Sequence, residues 1–109
     1  MRYGYVRARS LDGIESQVNK LVEYGIEEFI IEDAASAEKL KDFAFAHFCP
    51  EDELYITSWD RLSRSPSDVA RILKLLAGYG VELYVDGRKY DMAKFVAQSL
   101  IIDALLADR

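Results

Sequence analysis

Sulfur and imidazole are nearly absent from this 109-residue chain, which holds one cysteine, Cys49, and one histidine, His47. A single cysteine excludes an intrachain disulfide, and the two residues together cannot furnish a cysteine- or histidine-based metal set. Cys49 is expected to behave as a small, partly buried hydrophobe and His47 to be structural or solvent-facing. Long apolar runs are missing as well: nothing approaches the roughly 20 residues of a membrane helix, and no basic stretch leads into an apolar one at the start. The expectation is a cytoplasmic protein with no membrane partner. Positive charge is also in deficit, with 14 Lys and Arg against 19 Asp and Glu and a formal net charge of −5. Such a chain does not coat nucleic acid by bulk charge, so any anion site must be a local cluster.

Half of the residues are hydrophobic, and at this length they suffice for one core, so residues 1–109 read as a single domain. Residues 2–7 alternate as a strand. Ile14, Val18, Leu21 and Val22 recur at helical spacing between Gly13 and Tyr24, with Gly25 where a helix stops. The apolar run at residues 27–33 suits a buried parallel strand. Ser36–Phe48 reads as a helix that Ser36 caps, with Leu40, Phe43, Ala44 and Phe48 inward and Pro50 beyond its end. A strand follows at residues 53–59. Ser65 and Pro66 then open a helix running to about Tyr79, with Val69, Ile72, Leu73 and Leu76 inward, and residues 81–87 form a fourth strand. The last helix, Met92–Arg109, carries one apolar stripe of Met92, Phe95 and Val96, with Ser99 at its end. Ala97, Leu100, Ile101, Ala104 and Leu105 cover a second side, and the simplest second cover is another subunit.

Strictly alternating strands and helices predict an α/β fold: a mainly parallel four-stranded sheet with helices on both faces, joined by right-handed crossovers. Ligands of such sheets bind at the carboxyl ends of the strands, near a switch in strand order. After the first strand come Arg7, Arg9 and Ser10; after the third comes "SWDRLSRSP", with Asp60, Arg61 and Arg64. If those strands are neighbours, four arginines meet at one rim of an acidic protein. Arginine donates paired hydrogen bonds to phosphate and keeps its charge, so the rim is an anion site by composition. Asp60 is placed to orient an arginine or accept a proton, or to be merely structural. No G-x-G-x-x-G or G-x-x-x-x-G-K follows the first strand, and arginines stand where a magnesium site would want carboxylates. Neither a cofactor nor a metal is expected.

The segments "YVRARS" and "WDRLSRS" resemble the signature of the resolvase/invertase family of serine site-specific recombinases, whose catalytic domain opens with Tyr-x-Arg-Val-Ser and later carries Asp-Arg-Leu-Gly-Arg. The order of elements is similar over nearly the whole chain. The resemblance implies a resolvase-like three-layer fold and DNA recombination by strand cleavage and exchange. It implies further that Arg7, Gln17, Asp60, Arg61 and Arg64 belong to the catalytic set, the arginines binding a DNA phosphate while a serine forms a phosphoserine link.

Two positions depart from that pattern. Counting from Arg7, Arg9 occupies the nucleophile position and Ser10 comes one residue late. A further family arginine falls where Glu38 or Lys39 stands. While the strand continues, Arg7 and Arg9 share a side and Ser10 points away, and Ser10 otherwise suits a turn or helix-capping hydroxyl. The chain is expected to stop part-way along a truncated dimerisation helix at about residues 92–109, with no DNA-reading domain. Three functions remain: a recombinase catalytic domain, a non-catalytic descendant that binds DNA or a partner such as an active recombinase, and a phosphate-binding module unrelated to DNA.

Overall fold

The computed structural model describes residues 1–33 and 37–107. Strand β1 (Arg2–Arg7) leads to helix α1 (Leu11–Leu21), which tightens into a 3-10 turn at Val22–Tyr24 and ends where Gly25 adopts a left-handed conformation, φ 71°. Then come β2 (Glu28–Glu32), α2 (Glu38–His47), β3 (Glu53–Ile56), a 3-10 turn at Trp59–Arg61, α3 (Pro66–Gly78), β4 (Glu82–Val85), β5 (Arg88–Lys89) and α4 (Met92–Ala107). The sheet order is β2-β1-β3-β4-β5. The first four strands are parallel, as expected. A fifth, two-residue strand pairs antiparallel with β4. Asp86 and Gly87 build its tight turn, with φ 50° and 76°. That geometry needs positive φ at both central residues, which the Asp-Gly pair supplies. A side chain at Gly87 would also meet the Tyr24 hydroxyl at 2.6 Å.

The helices divide between the two faces. Leu40, Ala44 and Phe48 from the α2 region and Ile72, Leu73 and Leu76 from α3 bury one face against Tyr3, Tyr5, Ile30, Leu54, Ile56 and Leu83. Leu21, with Ile14 and Val18, covers the other over Val6 and Tyr55. Alternation along each strand sends successive residues to opposite layers; Leu54 and Ile56 meet α2 and α3, and Tyr55 between them meets α1. On that second face Tyr24, Tyr55 and Tyr84 stack nearly parallel, with ring centroids 5.5 and 4.5 Å apart.

Several expected boundaries shift. The strand expected over residues 53–59 ends at Ile56, because Trp59 already starts the 3-10 turn. Ser65 does cap α3, accepting from the Asp68 N–H with Pro66 in the first turn. Ser36 lies outside the described residues; the residue at the start of α2 is Ala37, which makes no side-chain cap. Cys49 is exposed rather than partly buried, as the chain leaves α2 towards Pro50. His47 is exposed with its ring against Phe43 at 4.7 Å. Met92 and Phe95 of α4 pack on the main core, whereas Leu100, Ile101, Leu105 and Leu106 are more than half exposed. No helix among the described residues is long and apolar enough to cross a membrane.

Candidate functional site

β1 lies between β2 and β3, and the strand order reverses between β1 and β3. Their pairing covers Arg2, Tyr3 and Gly4 against Glu53, Leu54 and Tyr55. Pairing with β2, in contrast, continues to Arg7 opposite Glu32. At the last residue of β1 the backbone is completed by a side chain: Gln17 Oε1 accepts from the Arg7 N–H at 3.1 Å and Gln17 Nε2 donates to the Arg7 carbonyl at 2.9 Å. Buried backbone groups require partners; here one amide on α1 serves both groups of Arg7. The carboxyl end of β1 thus leaves β3, and a cavity of about 680 Å³ lies at this rim.

Arg7, Arg9, Ser10, Asp60, Arg61 and Arg64 all line that cavity, together with Ala8, Gly13, Ser63 and Ser65. Six of the seven residues singled out in the sequence are therefore brought together. The seventh, Gln17, is only 3% exposed and stands behind Arg7 rather than in the cavity wall. Arg7 is fixed again by its side chain, which donates from Nη1 to the Leu62 carbonyl at 2.7 Å. Leu62 is fully buried, so the loop after β3 is nailed to the core by the residue whose carbonyl holds Arg7. Arg61 Nη1 donates in turn to the Arg7 carbonyl at 3.3 Å. Arg61 Nε is buried and makes no hydrogen bond among the described residues. No ion pair among them involves Arg9, Arg61 or Arg64.

Arg9 and Ser10 are expected to oppose each other only while the strand continues, and it stops before both. Strand alternation holds only while the chain is a strand, and β1 ends at Arg7; Ala8, Arg9 and Ser10 turn into α1, so both Arg9 and Ser10 reach the cavity. Ser10 is the N-cap of α1, its Oγ accepting from the Gly13 N–H at 3.1 Å. A Cβ at Gly13 would approach Ala8 Cβ at 2.9 Å and Ser10 Oγ at 3.1 Å, so the glycine leaves room for that cap. Two helix starts thus meet the cavity, α1 at Ser10 and α3 at Ser65, and the partial positive charge of each favours an anion.

Asp60 accepts a hydrogen bond from the Ser58 hydroxyl. That bond, joined by the charges of Arg61 and Arg64, holds its carboxyl below the usual carboxylate range despite some burial. A carboxylate so stabilised is ionised at neutral pH and is a weak proton acceptor.

Beneath Arg7 lies a buried pair that the sequence reading missed. Glu32, 1% exposed, accepts from the Tyr5 hydroxyl and, at 2.7 Å, from the Lys39 N–H at the start of α2. Burial first, and then Glu32, push the Tyr5 hydroxyl far above its ordinary pKa, with Arg7 opposing. The signal was a glutamate lying inside the run at residues 27–33 that reads as a buried strand. Lys39, one of the two residues standing where the further family arginine falls, turns its ammonium to the Ile31 carbonyl at 3.4 Å and is not part of the cavity wall. Glu38 is exposed. Ser63 and Gly13 were likewise not recognised as walls. No group of three or more His, Cys, Asp or Glu among the described residues is placed to hold a metal ion.

The family profile described as "Resolvase, N terminal domain" matches residues 2–107. Among solved structures the chain is similar to the C-terminal catalytic domain of ISC1926 TnpA, an IS607-like serine recombinase, at 25% identity and a TM-score of 0.61, over 93% of this chain and 78% of that one. It is similar in fold to the N-terminal catalytic domain of TP901-1 integrase, at 14% identity and a TM-score of 0.65, over 95% and 97% of the two chains. No curated protein sequence matches the chain.

Proposed function

Since the chain belongs to the resolvase N-terminal domain family, we propose that it grips a DNA phosphodiester in the arginine-lined cavity and does not cleave it. The observation that carries the binding half is Arg61 Nε, a buried charged donor with no partner among the described residues. Leaving such a donor unmet is costly, and a phosphate that draws the guanidinium outward into the cavity would satisfy it. Arg7, Arg9 and Arg64 line the same cavity, and the two helix starts add to the attraction. Arg7 and Arg61 each donate to a backbone carbonyl, which orients their guanidinium groups.

The second half rests on Ser10. Its oxygen accepts from Gly13 as a helix cap, and Asp60, the nearest candidate base in the loop after β3, has its basicity lowered. A serine attacks phosphate only when activated. One observation favours the catalytic alternative, namely that Ser10 lines the same cavity as Arg61 and Arg64. The two readings separate on denaturing gels after incubation with supercoiled DNA. Non-covalent binding with no denaturant-resistant adduct supports the proposal, whereas an adduct that Ser10→Ala removes sinks it. The proposal includes pairing of two copies through the exposed apolar side of α4; a monomeric mass at high protein concentration contradicts that part.

A further inference from the structure

Three serines stand in the wall of the arginine cavity, Ser10, Ser63 and Ser65, and they differ in what holds them. Ser63 is half-buried, and its oxygen accepts from the Ser65 N–H at 3.1 Å. Ser10 is exposed, but the chain on both sides of it is fixed, by the Ala8 N–H on the Glu32 carbonyl and the Ile14 N–H on its own carbonyl, each at 3.1 Å. Ser65 is exposed and extended, with φ −91° and ψ 120°, immediately before Pro66. A following proline keeps a residue out of the helical region, so the hydroxyl is presented from open backbone although α3 begins beside it. The chain has two prolines and the other follows Cys49, which makes Ser65 its one serine before a proline. An exposed, extended serine followed by proline is the substrate form that a proline-directed serine kinase reads.

A phosphate on Ser65 would carry nearly two negative charges at neutral pH and three acceptor oxygens. It would stand at the start of α3, where the helix favours an anion. The wall it shares holds Arg7, Arg9, Arg61 and Arg64 against one carboxylate, Asp60. A second carboxylate, Asp68 in the first turn of α3, is turned to Lys41 at 3.8 Å. Attraction therefore outweighs repulsion at this position. A phosphate tethered by one side chain also meets the arginines at an effective concentration that a phosphate arriving from solution does not reach.

We propose that Ser65 is a phosphorylation site whose phosphate docks among the cavity's own arginines, excludes the DNA phosphate and switches binding off. This rests on the phosphate-binding reading of the cavity. In the modification Ser65 Oγ attacks the γ-phosphorus of ATP in a proline-directed serine kinase. The bond from that phosphorus to the bridging oxygen breaks, ADP leaves, and the hydroxyl proton passes to the kinase's base.

The test compares the whole chain in three forms: unmodified, with phosphoserine incorporated at position 65, and with phosphoserine incorporated at position 67. Ser67 is the control, since its hydroxyl lies 3.0 Å from that of Ser65 but does not line the cavity. Calorimetric titration with duplex DNA should show binding weakened roughly ten-fold or more by the phosphate at 65, as expected for one lost hydrogen bond to a charged group. The phosphate at 67 should cause a smaller loss. Phosphorus NMR across pH gives a second readout: the phosphate at 65, among guanidinium groups, should lose its last proton below the usual pKa of about 6, and Arg64→Ala should return it towards that value. An unchanged or raised thermal melt, expected of an anion at a helix start, shows that weaker binding is not unfolding; a lowered melt overturns the docked arrangement. Equal weakening by the two phosphates, or a phosphate at 65 that titrates like free phosphoserine, overturns the switch and leaves the DNA site standing. Failure of the unmodified chain to bind DNA overturns the phosphate-binding reading and the switch with it. Incubation with ATP and a proline-directed kinase should place phosphate on Ser65, mapped by mass spectrometry; labelling elsewhere, or none, overturns Ser65 as the acceptor.

Discussion

Two loops form the cavity, and they are anchored in opposite ways. The loop after β3 sinks a fully buried leucine, Leu62, into the core and uses that residue's carbonyl to hold Arg7. The loop after β1 has no such plug: its footing is the Gln17 amide, the Ala8 N–H bonded to the Glu32 carbonyl at 3.1 Å, and the Ser10 cap. Where burial fixes the backbone, Arg61 and Arg64 line the cavity. Where polar bonds fix it, the serine oxygen already serves the helix. The proposed division between binding and attack follows the two loops.

The largest effect that bears on this contrast is expected from Leu62→Ala. Emptying a fully buried leucine site costs about 2–5 kcal/mol, measured by chemical denaturation, and releases Arg7 from its carbonyl. A loss no larger than that of Ser10→Ala would break the distinction between a plugged and an unplugged loop. Tyr5→Phe undercuts the β1 loop from below, since it leaves the buried Glu32 with the Lys39 N–H alone; a loss of about 1–3 kcal/mol is expected. The same pair sets a pH limit. The folded-state pKa of Tyr5 is raised above its unfolded value of 10.0, so its contribution is complete below that value and declines as pH rises past it. Tyr5→Phe should flatten the alkaline limb of the stability curve.

Ser10→Ala removes only a cap and should cost about 1 kcal/mol of stability. A much larger loss would show that the β1 loop depends on Ser10 for more than the start of α1. The smallest effect belongs to Asp60, an exposed carboxylate with a lowered pKa. Its contribution is present above the unfolded value and is lost as pH falls through the lower folded one. Wild type and Asp60→Asn should therefore differ by a constant amount from neutral pH down to the usual carboxylate range and converge below it. Divergence at higher pH would assign Asp60 a raised pKa and restore it as a proton acceptor.

The sequence carried the rim of this site because strand ends and strand order depend on patterns that it states openly. Alternation and helical spacing located four strands and four helices, and the doubly wound order then brought Arg7 and Arg61 together. The place of Ser10 turned on a boundary that the sequence located: residues 2–7 read as a strand, and β1 ends at Arg7. The double contact of the Gln17 amide with the Arg7 backbone at that boundary, between residues ten apart, was not legible. Glu32 was concealed for a related reason: a charge at a strand end reads as solvent-facing until a tyrosine from the neighbouring strand and an N–H from the next helix are known to meet it. The fifth strand was legible in "VDGRK" and was passed over, because its Asp-Gly turn was taken as the end of a strand rather than the middle of a hairpin.

The most direct test of binding without attack is a calorimetric titration of DNA into three proteins: wild type, Arg61→Ala and Ser10→Ala. Loss of a hydrogen bond to a charged group predicts binding about ten-fold or more weaker in Arg61→Ala, and unchanged affinity in Ser10→Ala. Undiminished binding by Arg61→Ala, or loss of binding in Ser10→Ala, would contradict the division between the two loops.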